Sequence, residues 1–422
     1  MGLPLAIVFA DYGFRVIGVG KNPQNINKLN KGISTVTGEK DLDKLLKTVV
    51  TKRSFFATTD GIDASKKSDV KVIIIPTFLT YDNKPDLSIV KEVIASIGKG
   101  LNKGDIVILE STAPPGTTIE YIAPLLEKIS GFKLNKDFSV AHCPERTNSG
   151  TAISDIKGRL NPKIIGASDK ISSEILRWLY GKINKRGVII VSNPTIAEMV
   201  KVSEGMYRDL NIAFANNLYL VCRELGIDAY EVIKAANTDA VCNILTPGPG
   251  VGGHCIPVYP YFILSKIKKN KQLILLGRKI NDDMSKHIIS LAEKSLIEKG
   301  KKMESSNILI LGLVYRGGVK ELRKSPGLKI ATELKSRVNK LFIFDPLFTA
   351  REINNLGFSF SSNFQNVDCI IITTEQEEFK QLNWQEIAKK VKTKIVIDTK
   401  NIINKQALED LGFSIKRIGY AE

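Results

Sequence analysis

Short apolar runs that alternate with longer, helix-compatible stretches constrain the fold of this 422-residue chain most strongly. In its first half the runs lie at residues 14–19, 70–75, 106–109, 139–142, 163–166 and 188–192. Runs of this length with helical connections are typical of buried strands in a parallel sheet. The pattern therefore predicts an α/β domain over residues 1–192, with helices on both faces of the sheet.

The opening residues predict a helix. Pro4 falls in its first turn, where a missing N–H is tolerated, and Gly13 follows its end. The run at residues 14–19 is then predicted to be a strand.

After residue 192 the pattern changes to helices. From Thr195 to about Leu225, apolar residues recur at helical spacing, and Asn193 and Pro194 supply the cap and first turn. Helical character continues over residues 228–236 and from 261 to about 299. A helical block between two α/β regions predicts a linking domain with a dimer surface, at residues 193–299.

The last part of the chain returns to the α/β pattern and predicts a second, smaller α/β domain at residues 300–422. We expect a strand at 307–311, a loop at 312–326 and a helix at 327–335. Further strands are expected at residues 340–344, 369–373 and 395–398.

Composition narrows the class of protein. Lys and Arg number 61 against 44 Asp and Glu, a formal charge of +17, but the lysines are scattered and not set among aromatics. A solvated basic surface is therefore expected, without nucleic acid as a partner. No run approaches the roughly 18 apolar residues of a membrane span, and no signal peptide opens the chain. The five cysteines lack metal-ligand spacing, which predicts reduced thiols in a cytoplasmic protein without a metal site.

Residues 248–257 form the most unusual stretch, with four glycines and two prolines in ten residues. Such a segment cannot belong to a helix or a central strand. It contains His254 and Cys255, and an ordered loop with a cysteine suggests a thiol presented to a reactant. A tight loop whose cysteine is a small buried hydrophobe is the alternative.

Several short motifs occur together along the chain. They are Gly2-Leu3-Pro4-Leu5-Ala6, residues 110–117 (ESTAPPGT), Pro144-Glu145-Arg146, Lys201 with Tyr207-Arg208-Asp209, residues 250–257, and residues 311–317 (LGLVYRG) leading to 322–326 (LRKSP). In this order they resemble the UDP-sugar 6-dehydrogenases, especially those acting on UDP-N-acetylhexosamines. The resemblance extends to about residue 398, nearly the whole chain, and the ordered set is far more specific than one glycine pattern.

The resemblance implies an N-terminal Rossmann-like domain, a central helical dimerisation region and a C-terminal UDP-binding α/β domain. It also implies a four-electron oxidation at the sugar C6, from alcohol to carboxylate, that consumes NAD twice and feeds surface polysaccharide or glycoprotein glycan synthesis. Cys255 would be the nucleophile, because a thiolate that adds to the aldehyde makes a second hydride donor. Lys201 would face the developing oxyanion, and Glu145 and Thr112 would hold the hydrolytic water and assist proton transfer.

The same resemblance implies the binding residues. The cofactor would meet Gly2, Lys21, Thr77 and Thr112. The UDP-sugar would meet Glu145, Lys201 and a further set of residues: Arg146, Arg208, Gly252, Tyr315, Arg316 and Arg323. A homodimer or higher homo-oligomer is implied, with Arg323 reaching the neighbouring subunit's site. For the arginines, surface ion pairs are the alternative.

Two departures from the family pattern affect the cofactor region. The family opens with a strand and G-x-G-x-x-G, and Gly2 matches the last of those glycines. We expect a mis-assigned start or a truncated gene, with the two strands beside the missing central one each losing a ladder partner. Gly20-Lys21 stands where an acidic residue usually binds the ribose, so NADP is possible beside NAD.

Two further departures affect the catalytic region. An asparagine usual four residues after the lysine is Gly205, and an aspartate usual four residues after the cysteine is Tyr259. Loss of one oxyanion donor typically costs about 10²–10³ in rate, and a phenol is no ready base at pH 7. Asn211 is a candidate for compensation. The alternative function is therefore an impaired or non-catalytic paralogue that keeps the dimer and UDP-sugar binding.

Overall fold

The computed structural model describes residues 1–148 and 150–420. The chain forms two compact units, residues 1–204 with 261–267, and residues 205–260 with 268–422. The sequence predicted three domains with boundaries at residues 192 and 299, whereas compactness separates two units. The three-domain division stays a prediction. None of the helices in the described ranges is both long and apolar enough to cross a membrane.

Nine strands and eight complete helices build the first unit in the part of the chain that the structure describes. The strands are β1 (Val16–Val19), β2 (Phe55–Thr58), β3 (Val70–Ile73), β4 (Phe78–Leu79), β5 (Pro85–Asp86), β6 (Asp105–Leu109), β7 (Phe138–His142), β8 (Lys163–Ala167) and β9 (Val188–Val191). The helices are α1 (Gly2–Asp11), α2 (Pro23–Asn30), α3 (Leu42–Thr51), α4 (Gly61–Lys66), α5 (Ser88–Lys99), α6 (Ala123–Ser130), α7 (Ala152–Ile156) and α8 (Lys170–Ile183). A π-helical turn, Thr117–Ile122, leads into α6.

The predicted sheet is present, with one error of direction. The main sheet has the order β3-β6-β7-β8-β9, and β7 pairs with β8 antiparallel while the other neighbours are parallel. Apolar periodicity identifies strands but carries no direction, which the connecting path decides. Between β7 and β8 the described part of that path includes the five-residue helix α7 and no longer helix. The all-parallel prediction is therefore wrong at this pair.

Two strands of the first unit, β1 and β3, lie at the edges of their sheets. β1 pairs with β2 in a separate two-stranded parallel sheet, and β3 pairs with β6. Within the described ranges, β1 and β3 are each hydrogen-bonded to a neighbouring strand on one side only. The sequence pattern missed β2, whose four residues alternate in burial, and the short hairpin β4–β5.

A long helix, α9 (Pro194–Glu224), starts in the first unit and ends in the second, as expected from its apolar spacing. It is followed by α10 (Ala229–Ala236), α11 (Tyr259–Leu264) and α12 (Gln272–Glu298). The helical character predicted from residue 261 to about 299 is present, but it is divided between two separate helices, α11 and α12. Asn270 lies between them with φ +59°, in the left-handed region that a helix cannot continue through.

The remaining elements of the second unit form a parallel sheet with flanking helices. They are β10 (Asn307–Leu311), α13 (Pro326–Leu334), β11 (Lys340–Phe344), α14 (Ala350–Asn355), β12 (Ser359–Phe360), β13 (Cys369–Ile372), α15 (Glu377–Lys380), α16 (Trp384–Lys390), β14 (Ile395–Asp398), α17 (Lys405–Glu409) and β15 (Ser414–Arg417), after a 3₁₀ turn at Met303–Ser305. The strand order is β12-β11-β10-β13-β14-β15. All four predicted strands are confirmed, while β12 and β15 were missed.

Alternation along the central strands gives each sheet two apolar faces. In β6, Ile106 and Ile108 join one hydrophobic cluster while Val107 and Leu109 join another. The same alternation occurs in β10. One of the two β10 clusters includes Tyr219 from α9 and several residues of α12. The central helices and the last sheet therefore share a core, which explains why compactness joins them in one unit.

Candidate active site

The glycine-rich loop at residues 248–257 leads into α11 and is held by hydrogen bonds within the second unit. Gly250 and Gly253 have φ of +123° and +95°, which other residues rarely adopt. The Gly248 N–H donates to Asn216 Oδ1 at 2.8 Å, and the Gly253 N–H donates to the Arg323 carbonyl at 2.8 Å. The loop is therefore tied both to α9 and to the segment after β10.

Cys255 lies near the end of this loop and is half-buried. Cys143 and Cys369 are fully buried, and burial raises the pKa of both thiols far above the ordinary value. Cys222 is also buried, and Cys242 shares the intermediate exposure of Cys255; none of the five cysteines forms a disulfide in the described residues. The presented-thiol interpretation of the loop is thus favoured over the buried-hydrophobe alternative.

His254 makes a direct interaction with this thiol. Its hydrogen bond to Cys255 is the largest cause of a pKa raised to about 9, and the nearby charges of Cys255 and Glu321 add to it against partial burial. His254 Nδ1 lies 3.2 Å from Glu321 Oε2. A protonated imidazole beside a thiol favours the thiolate. The sequence motif contains His254 but did not indicate its interaction with the thiol, and Glu321 was not predicted at all.

Gly252, Tyr315 and Arg323 are brought to the same loop. A side chain at Gly252 would overlap Tyr315 Cβ and lie 3.0 Å from the Lys324 carbonyl oxygen, so the loop backbone packs directly on this segment. Burial raises the pKa of Tyr315, helped by the charges of Glu321 and Cys255. Arg323 Nε lies 3.8 Å from Glu321 Oε1, a long ion pair in which the arginine side chain stays about half exposed.

The other two predicted substrate arginines of this unit, Arg208 on α9 and Arg316 after β10, are exposed. Asn211, the candidate for compensation, holds a loop instead. Its Nδ2 donates to the Asn243 carbonyl at 2.7 Å, and its Oδ1 accepts from the Leu245 N–H at 2.9 Å. A role for Asn211 as a substitute oxyanion donor is therefore not favoured.

In the first unit, Glu110 forms a buried polar cluster after β6. The Tyr180 hydroxyl donates to Glu110 Oε1, and Lys163 Nζ lies 2.9 Å from the same oxygen. Burial raises the pKa of Glu110, while the Lys163 charge opposes the shift. Lys163 and Tyr180 were not predicted, since only the carboxylate belongs to a recognisable motif.

Glu145 and Arg146 follow β7 and have intramolecular partners. The Glu145 N–H donates to the Glu110 carbonyl at 3.4 Å, and its carboxylate accepts from the Thr147 N–H. Arg146 is ion-paired with Glu204 at 2.8 Å and donates to the Pro162 carbonyl at 3.3 Å. Glu145 is half-buried just beyond the carboxyl end of β7, where α/β sheets place residues that contact ligands.

Lys201 lies on α9 and is half-buried. Burial lowers the pKa of His142 to about 3, and the charges of Lys163 and Lys201 add to that effect. The ammonium groups of both lysines therefore act on the end of β7. This environment fits the predicted oxyanion role better than the alternative of a surface lysine on a helix.

Glu198, one turn before Lys201, was missed by the sequence prediction. It is fully buried and accepts hydrogen bonds from the Gly116 N–H at 2.6 Å, the Thr118 N–H at 2.8 Å and the Thr118 hydroxyl at 2.6 Å. Burial raises its pKa to about 7. In the sequence, the only sign of this role was a glutamate among the apolar positions of α9. The Glu198 carboxylate fixes the start of α9 to the loop that carries Thr112.

The predicted cofactor residues lie in the same unit. The Thr77 hydroxyl donates to the Thr112 carbonyl at 2.5 Å, which joins the loops after β3 and β6. The first turn of α1, starting at Gly2, has no side-chain cap in the described residues, which fits a helix end that receives a pyrophosphate. Lys21 is ion-paired with Glu92 at 2.5 Å on the surface, so its charge is already partnered.

These features define a dehydrogenase that combines a dinucleotide-binding sheet with a cysteine presented by a glycine-rich loop. Three models of the UDP-glucose/GDP-mannose dehydrogenase family match the chain: the NAD binding domain at residues 1–184, the central domain at 195–283 and the UDP binding domain at 309–405. The chain belongs to this family. The predicted Rossmann-like, central helical and UDP-binding regions are thereby confirmed, as is NAD as cofactor.

Relatives cover the chain from end to end. The UDP-N-acetyl-D-mannosamine dehydrogenase of Pyrococcus horikoshii is 37% identical over 99% of this chain and 97% of its own. The NDP-N-acetyl-D-galactosaminuronic acid dehydrogenase of Ralstonia solanacearum is 30% identical over 95% of this chain and 94% of its own. The solved structure of the UDP-D-ManNAc dehydrogenase from Pyrococcus horikoshii superposes with a TM-score of 0.89, at 35% identity, over 99% of this chain and 96% of that one.

Proposed function

We propose that this UDP-sugar dehydrogenase oxidises the C6 hydroxyl of UDP-N-acetyl-D-mannosamine to the carboxylate, with two NAD molecules consumed in turn. The half-buried Cys255 thiol, hydrogen-bonded to His254 in a loop packed on the UDP binding domain, is the observation that carries the proposal. The full-length similarity to UDP-N-acetyl-D-mannosamine dehydrogenases supports the choice of sugar.

NAD supplies the hydride acceptor for both oxidations. The Cys255 thiolate adds to the C6 aldehyde, and the resulting thiohemiacetal loses the second hydride to become a thioester. Water then cleaves the thioester, releasing the carboxylate and restoring the thiolate. In all, the alcohol and one water give a carboxylate, two hydrides and three protons.

The residues of this chain have separate tasks in that scheme. Protonated His254, itself beside Glu321, stabilises the Cys255 thiolate. Lys201 stabilises the oxyanion that develops at C6. Glu145 and Thr112 hold the hydrolytic water, and the Glu145 carboxylate accepts its proton. Tyr315 and Arg323 bind the UDP moiety or the sugar, the arginine through its planar fork.

The first test supplies purified protein with NAD or NADP and each of three UDP-sugars, the N-acetyl forms of mannosamine, glucosamine and galactosamine. We expect NADH formation, followed by its absorbance, with the manno-configured substrate, and a pair of NADH molecules for each uronic acid found by mass spectrometry. A single NADH for each product would contradict the thioester route. Binding of the UDP-sugar without any NADH would instead favour the non-catalytic paralogue, for which the Gly205 and Tyr259 departures argue.

We also propose that the chain forms a homodimer through its central helices. Phe214 and Val221 on α9 are 55% and 44% exposed at helical spacing, and Leu225, directly after the end of that helix, is 67% exposed. On α12, Leu273 and Leu276 are 66% and 55% exposed. Apolar side chains in such numbers on two long helices fit a second copy of the same surface.

Light scattering after gel filtration tests the dimer. We expect twice the chain mass of 46.6 kDa for the unaltered protein and a monomer for Phe214→Asp with Val221→Asp. Trp178→Asp, which alters an exposed aromatic residue of α8, is the control and should leave the mass unchanged. A monomer before any substitution would exclude this proposal.

A further inference from the structure

Two departures from the family pattern are in contact with each other. Gly205 lies inside α9, and Tyr259 is the first residue of α11. A Cβ built on Gly205 would overlap Cδ2 of the Tyr259 ring and lie 3.1 Å from both its Cγ and its Cε2. The ring therefore occupies the space in which any side chain at position 205 would begin.

Tyr259 is also bonded to the residue that carries the thiol. Its N–H donates to the Cys255 carbonyl at 3.0 Å, and the Val258 N–H donates to the same oxygen at 3.0 Å. Tyr259 is only 8% exposed. One residue thus packs its ring on the α9 backbone and, through its own backbone, closes the helical turn that starts at Cys255.

We propose that Tyr259 is a positioning residue for the Cys255 thiol and that the missing side chain of Gly205 provides the space for its ring. A glycine inside a helix is ordinarily unfavourable, and here it permits a buried aromatic contact that no other residue would allow. The two departures are then a single paired change and not two independent losses. This inference rests on the proposed role of Cys255 as the reactive thiol.

The test is a double-mutant cycle that measures the thiol itself. In a Cys242→Ser background, which removes the other half-buried thiol, the rate of Cys255 alkylation by iodoacetamide is followed against pH. Gly205→Asn forces the ring away, and we expect the alkylation rate and its pH midpoint to change together with a loss of turnover of about 10²-fold, typical of a displaced reactive group. Gly205→Asn combined with Tyr259→Asp should recover most of the alkylation rate.

Matched variants separate the ring contact from general damage. Gly181→Asn changes a helical glycine with nothing within 4 Å of its Cβ position, and should leave Cys255 alkylation unchanged. A smaller substitution, Gly205→Ala, serves if Gly205→Asn fails to fold, and should shift the alkylation profile in the same direction.

The outcomes of the cycle separate the pairing from the proposed oxidation. If Gly205→Asn changes alkylation equally with and without Tyr259→Asp, the two sites are independent and the proposed pairing is wrong. If the effects of the two substitutions on the alkylation rate are not additive and the starting protein shows no turnover, the pairing is supported and the proposed oxidation is overturned. If the effects are additive and the starting protein turns over, the pairing is overturned and the proposed oxidation is supported.

Discussion

In the first unit β1 and β3 each have a neighbouring strand on one side only within the described ranges, whereas in the second unit β10 lies between β11 and β13. The residues singled out in the two units differ in a similar way. Lys21 is exposed in the first unit, where it meets Glu92. Gly205 and Tyr259 are buried and packed on each other in the second.

The exposed ion pair of Lys21 is solvated, so either partner can change with little effect on the residues around it. The Tyr259 ring lies against the backbone at Gly205, so a side chain at position 205 has to move the ring. The contact in the second unit therefore couples two positions, whereas the ion pair in the first unit couples its residues only weakly.

The strongest effect is expected at the thiol loop of the second unit. Cys255→Ser should lower turnover by roughly 10⁴-fold or more, because the nucleophile that carries the aldehyde between the two hydride transfers is removed. The rate of NADH formation measures it. Cys242→Ser is the control and should keep full activity; an active Cys255→Ser protein would mean that no covalent carrier is needed.

The next effect concerns a buried group of the first unit. Burial raises the pKa of Glu198 to about 7 from 4.5, so its contribution to stability is fully present below pH 4.5 and is lost as pH rises to 7. The size of the shift corresponds to about 3 kcal/mol. Glu198→Gln removes this titration and keeps an acceptor oxygen. We expect the difference in unfolding free energy between the two proteins to change over that pH range.

Urea denaturation at several pH values measures this difference. Glu127→Gln, on α6, is the matched control and should follow the unaltered protein at every pH. A constant difference between the Glu198→Gln and unaltered proteins across the range would show that Glu198 does not titrate there.

A third prediction concerns the charge of His254 next to the Cys255 thiol. His254 has a pKa raised to about 9, chiefly by its hydrogen bond to Cys255, so it is protonated at neutral pH. His254→Asn removes that charge, and we expect Cys255 alkylation at neutral pH to slow about 10-fold as the thiol pKa rises by about one unit. His287→Asn, on α12, is the control. An unchanged alkylation profile would assign thiolate stabilisation to the loop backbone.

The weakest effect is expected at Lys21, a predicted cofactor residue of the first unit. Glu92→Gln breaks the exposed pair with Lys21, and we expect less than about 1 kcal/mol change in unfolding free energy.

Lys21→Asp restores a carboxylate and should increase the preference for NAD over NADP in relative kcat/KM. If the preference moves towards NADP instead, Lys21 does not face the ribose.

Most of the architecture was predictable because it depends on local pattern. The apolar runs identified the central strands of both units, and β10, β11 and β14 match their predicted ends. Helical spacing located α9 nearly to the residue. Local pattern carried no information on three features: the antiparallel direction of β8, the four-residue strand β2, and the position of the break at Asn270.

The candidate site divides in the same manner. The resemblance predicted roles for Cys255, Lys201 and Glu145 because each lies in a short motif of the family. Glu198, Lys163 and Glu321 could not be found, since a lone charged residue gains its meaning only from partners far away in the chain. Their roles depend on burial and distance, which a sequence does not contain.

The amino-acid order alone is enough to specify the two α/β regions, the helical middle and the loop that carries the thiol, because strand and helix periods and glycine-rich motifs are local properties of the chain. It takes the folded protein to show that Gly205 and Tyr259 belong together. They are far apart in the chain, and their relation exists only because a ring and a helix backbone meet. In the sequence they are two unconnected positions; in the folded protein they form one contact.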